Sequence, residues 1–301
     1  MAPMPDAPDA PDAPDATDAA GARPARLPRR RLLRAGLVGA GVVGAVAVSQ
    51  RHLLELAAAR AGDALRKEDR VVAARRQRGE IVKAAVEKAG VAWPPKEVFL
   101  RATKYADNGT DNGAVEVWVG DGTSALAMAM AHPICALSGR VGPKRKEGDL
   151  QIPEGFYSIS GLNPQSAYHL SLRVDYPNAS DRIRGPRLDK SARLGGDIMV
   201  HGSCVTIGCI PIEDDPIEEV YLLVAEVFGR KRTVPIHIFP RPMTDVGLQA
   251  LLARADRQPA PTETAALWRE LHAGWQAFER SHRVPKVSVD KDGRYVVVAT
   301  T

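Results

Sequence analysis

Cysteine is scarce in this 301-residue sequence, with three in all. So few exclude a small disulfide-stapled scaffold, and the odd number leaves at least one thiol without an intramolecular partner. Aromatic residues are also few, at 4 Trp, 6 Tyr and 5 Phe. No strong surplus of charge exists: the net value is +5, and Lys and Arg are spread along the chain. A dedicated nucleic-acid binder would concentrate a basic face, so that class is disfavoured. Gly (26) and Pro (23) suggest many turns, yet are too few for a fibrous or fully disordered protein. What is present is 45% hydrophobic residues, enough for a sizeable core. The length fits one domain of about 200–250 residues with extensions, or two smaller domains. No repeat of solenoid length is present.

The N-terminal region reads as three unlike pieces. Residues 1–28 contain a Pro-Asp-Ala repeat with almost nothing to bury, which predicts disorder. Arg29-Arg30-Arg31-Leu32-Leu33-Arg34 then precedes an uncharged stretch over 35–48. A basic cluster before an apolar segment is the pattern of a secretory signal, and Arg-Arg-x-Leu-Leu-Arg resembles the twin-arginine export motif. Ala45-Val46-Ala47 offers a small-x-small cleavage site. The alternative is an uncleaved inner-membrane anchor over 32–48, at the short limit for a bilayer span. Either reading places the rest of the chain in the periplasm or otherwise outside the cytoplasm. Residues 49–92 are amphipathic and highly charged, predicting a helical stalk or packing helix. Gly90 and Trp93-Pro94-Pro95 mark its end, so a domain is expected over 93–301.

That domain is expected to be α+β and rich in strand. Alternation and β-branched residues predict strands at 98–103, 115–119, 125–134, 156–160, 168–174, 197–201, 234–239 and 294–299. Ile217, Val220, Tyr221, Val224 and Phe228 recur at helical spacing, with Glu213-Asp214-Asp215-Pro216 before them as cap and dipole chemistry. A second helix is expected over roughly 264–282.

The chemistry concentrates in His201-Gly202-Ser203-Cys204-Val205-Thr206-Ile207-Gly208-Cys209. A cysteine nucleophile needs a base for its proton, and imidazole titrates near neutrality. His201 follows a predicted strand, and the glycines let the chain double back to bring Cys209 towards it. The amide of Cys209 and its neighbours would then face a developing oxyanion. A metal reading of the same residues takes His201, Cys204 and Cys209 as zinc ligands, with His237 or Cys135 as a fourth. Their spacing is not that of a common zinc finger.

The short His-Gly-Ser-Cys-Val-Thr-Ile-Gly-Cys form resembles the active-site motif of L,D-transpeptidases with a YkuD-type catalytic domain, in the YafK-like branch. Gly148-Asp149-Leu150-Gln151-Ile152-Pro153-Glu154-Gly155-Phe156-Tyr157 is similar to that family's Thr-Pro-x-Gly-x-Phe element, with Ile152 in the Thr position. Further similar segments are Leu162-Asn163-Pro164, Tyr168-His169-Leu170, Tyr176-Pro177-Asn178, Ile236-His237-Ile238-Phe239-Pro240 and Phe278-Glu279-Arg280, on to Tyr295. The likeness spans about residues 93–300.

The resemblance implies a β-sandwich-like pair of sheets and a cell-wall enzyme that works through a cysteine acyl-enzyme. Cys209 would be the nucleophile and His201 the base, with Gly208, Gly202, Ser203 and Thr206 as oxyanion or positioning residues. The substrate would be a peptidoglycan stem peptide, and no cofactor or metal is implied. Ile207 and Pro211 depart from the long-spaced members, leaving amine and water both open as acyl acceptors. A hydrolytic member would detach a stem or a wall-attached protein. A non-catalytic wall-binding domain on a membrane stalk is the reading from another class. Tyr168, His169, Arg140 and Lys144 are candidate substrate contacts, though a strand pair and a solvated basic loop explain them equally. The cysteines leave three arrangements open: Cys135 with Cys204, Cys204 with Cys209, or free structural thiols beside Cys209.

Overall fold

The computed structural model describes residues 69–191, 193–231 and 234–298. The expected tail (1–28), the signal or anchor (29–48) and residues 49–68 of the expected stalk lie outside the described residues. No helix among the described residues is long and apolar enough to cross a membrane.

Helices and one large sheet make up the fold. The strands are β1 (Glu97–Thr103), β2 (Ala114–Gly120), β3 (Ala127–Pro133), β4 (Gly155–Ser166), β5 (His169–Val174), β6 (Met199–His201), β7 (Ile210–Pro211) and β8 (Val234–Phe239). Their spatial order is β3-β2-β1-β8-β4-β5-β6-β7, while β9 (Lys286–Val289) and β10 (Tyr295–Val298) form a separate hairpin. The implied pair of sheets is therefore corrected to one continuous sheet plus a hairpin. β8 is the reason: it pairs parallel to β1 on one side and antiparallel to β4 on the other, joining the antiparallel run β3-β2-β1 to the antiparallel run β4-β5-β6, at whose edge β7 pairs parallel to β6.

Strand alternation decides the layers. Val98, Leu100 and Ala102 of β1, Val115, Val117 and Val119 of β2, and Ile236 and Ile238 of β8 all enter one core cluster. Phe99, Trp118, His237 and Phe239 alternate with them and meet aromatic partners on the other face. The first face is covered by α1 (Arg70–Lys88) and α3 (Asp214–Lys231). The second carries α4 (Asp245–Leu252), α5 (Pro261–Ser281) and the hairpin, with Trp268, Leu271, Trp275 and Tyr295 buried. Gly274 lets α5 lie close to the sheet, because a Cβ there would stand 2.3 Å from Phe156 Cζ. His237, a spare zinc ligand in the metal reading, is buried in this layer, edge-on to Phe99 and Phe156.

The charged segment expected as a stalk is, over its described part, a packed helix. Ala74, Val82 and Val86 of α1 are fully buried in the first core. Burying that stripe is what ties a polar helix to the domain. Arg70, at its start, also donates to the carbonyls of Ser166 (2.7 Å) and His169 (2.5 Å), clamping the β4–β5 turn.

A polar junction links the two sides of the β4 strand. Asn178 and Asp181 form a capping box that opens α2 (Ala179–Leu188). Tyr157 Oη donates to Asp181 Oδ2 at 3.1 Å, and Asn178 Nδ2 donates to Tyr295 Oη at 2.8 Å. Burial raises the Asp181 carboxyl to about 6, against the Asn178 and Tyr157 hydrogen bonds that favour its ionised form. An unfolded aspartate titrates near ~3.9. The folded state thus holds the proton more tightly, so this contribution to stability is present below about pH 4 and lost as pH rises through about 6. Asp181→Asn is expected to flatten the stability curve between those limits. Urea unfolding at a series of pH values checks this, and equal slopes in wild type and variant would remove the assignment.

Candidate active site

Three strands at one edge of the sheet build the site. β6 lies between β5, its antiparallel partner, and β7, which runs parallel to it. In the β6–β7 register Val200 pairs with Ile210 and His201 with Pro211. Cys209 therefore immediately precedes β7, two positions before the residue that pairs with His201. The residues between β6 and β7, 202–209, form a loop closed at both ends by this ladder.

The loop is pinned at several points. A disulfide joins Cys204 to Cys135, just beyond the end of β3, and leaves Cys209 as the free thiol. Of the three arrangements open in the sequence, this one holds. It also removes Cys204 and Cys135 from the zinc reading, since both sulfurs are bonded to each other. Ser203 takes a positive φ of 64° and its amide donates to Asp214 Oδ1 at 2.8 Å. Gly202 sits where a Cβ would lie 2.4 Å from that same carboxylate oxygen. Thr206 Oγ1 accepts from the amides of Gly208 (3.1 Å) and Cys209 (2.8 Å) and donates to the Cys209 carbonyl (2.8 Å).

The amides of Gly202, Ser203, Gly208 and Cys209 are all committed to acceptors within the protein. These bonds fix the shape of the loop that ends at Cys209.

His201 is buried, and its Nδ1 donates to the Gly202 carbonyl at 2.5 Å. A carbonyl can only accept, so Nδ1 carries the proton and the neutral ring keeps its basic lone pair on Nε2. Burial lowers the His201 pKa from its usual value, against the Gly202 bond that favours the cation. Burial likewise pushes the Cys209 thiol up; the Met199 amide and the Lys144 charge pull it down, and Asp197 pushes it further up. The thiol contacts the Asp197 carbonyl at 3.6 Å, and no hydrogen bond joins it to His201 among the described residues. Catalytic hydrogen bonds commonly close only when substrate binds.

The secondary candidates separate clearly. Tyr168 is on the β4–β5 turn, with its ring 4.8 Å from that of His201 and nearly half exposed. His169 is instead structural: it has a φ of 69°, and its Nε2 bonds Glu218 Oε1 of α3 at 2.8 Å. Lys144 is not on a solvated loop, as it is buried with Nζ held by Asp149 Oδ1 at 2.8 Å and the Lys146 carbonyl at 2.9 Å. Arg140 is exposed, and its backbone amide reaches Gln151 Oε1 at 3.2 Å. Two residues went unrecognised in the sequence. Asp214 anchors the loop, and its signal was the acidic run before α3. Ser171 lies directly opposite His201 in the ladder with its hydroxyl buried and unpartnered. A serine between Leu170 and Leu172 gives no local hint of that neighbour.

No protein-family model matches this chain. The chain is 36% identical over 171 residues to a protein of Escherichia coli strain K12 described as "Putative L,D-transpeptidase YafK", and equally to the O157:H7 protein of the same description. The match covers 56% of this chain and 63% of each relative, a little under two thirds of their length. Among solved structures, the helical cell shape determining protein Pgp2 of Campylobacter jejuni aligns with a TM-score of 0.36 and 16% identity. That alignment covers 65% of this chain and 74% of Pgp2. Over the 171 matched residues, the chain is similar to these two proteins described as putative L,D-transpeptidases.

Proposed function

We propose that this protein is a cysteine acyltransferase of the bacterial cell wall, an L,D-transpeptidase acting on the tetrapeptide stems of peptidoglycan. Cys209 Sγ attacks the carbonyl at the L-centre of the stem's diamino acid while His201 Nε2 takes the thiol proton. The tetrahedral intermediate collapses to a thioester, and the proton returns from His201 to the departing D-alanine amine. A second stem's side-chain amine, or water, then cleaves the thioester and regenerates the thiol. Covalent catalysis divides one difficult substitution into two easier ones.

The observation that carries this reading is the lone free thiol at the start of β7, the strand paired with the end of β6 that bears an imidazole whose proton is fixed on Nδ1. The kinship with L,D-transpeptidases supports it. The Cys135–Cys204 disulfide fits an exported domain, since such bonds persist in oxidising compartments.

The pKa directions favour a thiol activated by a base during attack over a thiolate held at rest. Iodoacetamide alkylation of Cys209 is expected to be slow at pH 7 and to climb into the alkaline range. The acid limb of kcat/KM should fall below about pH 6.5, the usual imidazole value, because His201 must be neutral to act. A thiol alkylated rapidly down to pH 5 would contradict this picture. The function itself is tested by incubating the protein with purified tetrapeptide muropeptides and weighing the products. Cross-linked dimers identify an amine acceptor, and trimmed stems or released wall-linked protein identify water. Unchanged muropeptides together with an unmodified Cys209 would overturn the proposal.

A further inference from the structure

A cavity of about 570 Å3 lies beside the thiol turn, within the size range of small-molecule sites. Three stretches remote in sequence wall it: the 139–151 loop, the end of α2 at Leu188, and the start of α5 at Ala260 and Thr264. Gln151 belongs to that wall, and its carbonyl lies 3.1 Å from where a Cβ on Gly208 would stand. One residue layer thus separates the cavity from the Cys209 turn.

The charges around it do not balance. Arg140, Arg145 and Lys146 line the cavity, against the two carboxylates of Asp149 and Asp189, and Asp189 Oδ1 accepts from the Ser191 amide and hydroxyl. The carboxylate of Asp149 is occupied elsewhere: Lys144 Nζ and the amides of Arg145, Lys146 and Gln151 all donate to it. Arg145 Nη2 donates to the Thr264 hydroxyl at 3.1 Å, and its guanidinium makes no ion pair with a carboxylate among the described residues. Burial lowers its pKa below the ordinary arginine value, with Glu154 the first of the more distant groups opposing that shift. A desolvated cation without a close counter-charge is costly, and a guanidinium fork matches a carboxylate in two parallel hydrogen bonds. α5 also begins at this wall, with Ala260 at its N-cap position and no side chain capping it. A helix start of that kind favours negative charge nearby.

We propose that this cavity is an anion subsite in which Arg145 binds a carboxylate of the ligand, with the exposed Arg140 and Lys146 adding positive charge around it. Identifying that carboxylate as one from a stem peptide rests on the function proposed above; the anion site itself does not.

The test is calorimetry on the full chain carrying Cys209→Ala, which cannot turn over its ligand. Three probes are used: a tetrapeptide stem with free carboxylates, the same peptide with those carboxylates amidated, and malonate. The free-acid peptide is expected to bind about 10- to 100-fold more tightly than the amidated one, the range of a hydrogen-bonded ion pair. Arg145→Gln should close that gap, and Arg140→Gln, at an exposed position that does not endanger folding, should narrow it. Malonate should compete with the free-acid peptide. Equal affinity for acid and amidated peptides, together with malonate binding that both variants leave unchanged, would overturn the subsite. Malonate binding lost in Arg145→Gln, with no peptide binding at all, would support the anion site while overturning the stem-peptide ligand.

Discussion

Cys209→Ala is expected to abolish both turnover of tetrapeptide stems and the acyl-enzyme mass adduct, leaving the fold intact. Its side chain is half-buried in a turn held by Thr206, and no core contact depends on its sulfur. His201→Ala is expected to slow acylation by about 10²–10⁴-fold, the usual worth of a positioned general base. It should also steepen the pH dependence, since hydroxide must then supply the thiolate from a group whose pKa burial has raised. Intact-protein mass spectrometry under single-turnover conditions reads both effects. A His201→Ala protein that acylates at the wild-type rate would transfer the base role elsewhere, and Ser171, opposite in the ladder, could not fill it as an un-ionised hydroxyl. Circular dichroism of both variants separates lost chemistry from lost structure.

The second large effect is expected from the disulfide. Cys135 and Cys204 are 69 residues apart in sequence. In the chain-entropy model a bridge closing a loop of that length stabilises by about 4 kcal/mol, through the unfolded state. For a domain of this size that corresponds to a fall in melting temperature of roughly 8–16 °C. The double variant Cys135→Ser, Cys204→Ser should show it, and so should the wild type under reducing conditions. Activity should fall as well, because the bridge is a direct covalent tie between the loop bearing Cys209 and the rest of the sheet. An unchanged melting temperature on full reduction would assign the bridge no stabilising role. A lowered melting temperature with unchanged kcat would limit it to stability and leave Asp214 and Thr206 as sufficient anchors for the loop.

Strands were legible wherever one residue in two had to enter the core. Leu100, Ala102, Val115, Val117, Ile236 and Ile238 show that period directly. α2 was not legible: it is polar and contains Gly185 and Pro186, so it offers no helical stripe, and Asn178 and Asp181 are residue types that suit a turn as well as a helix start. Their reciprocal bonds are a helix start, which becomes recognisable once the following turn is seen to be helical. The charged segment before residue 92 read equally as a stalk or a packing helix because its apolar residues are few. Three of them, Ala74, Val82 and Val86, suffice to dock its described part. Lys144 looked solvated for a similar reason: lysine is rarely buried, and the Asp149 that makes burial tolerable belongs to the same loop.

By itself the sequence determined the residue types of the candidate site: a histidine at a strand end, a glycine before a cysteine, and an odd thiol, the nucleophile of the proposed function. Local pattern suffices for these, since strand periodicity and side-chain reactivity are properties of neighbouring residues. Only the tertiary structure decided which cysteines pair, which amides are already spent on Thr206 and Asp214, and that Arg145, Leu188 and Thr264 wall one cavity. Those outcomes depend on segments tens of residues apart meeting around a common sheet, and no spacing within one segment encodes them.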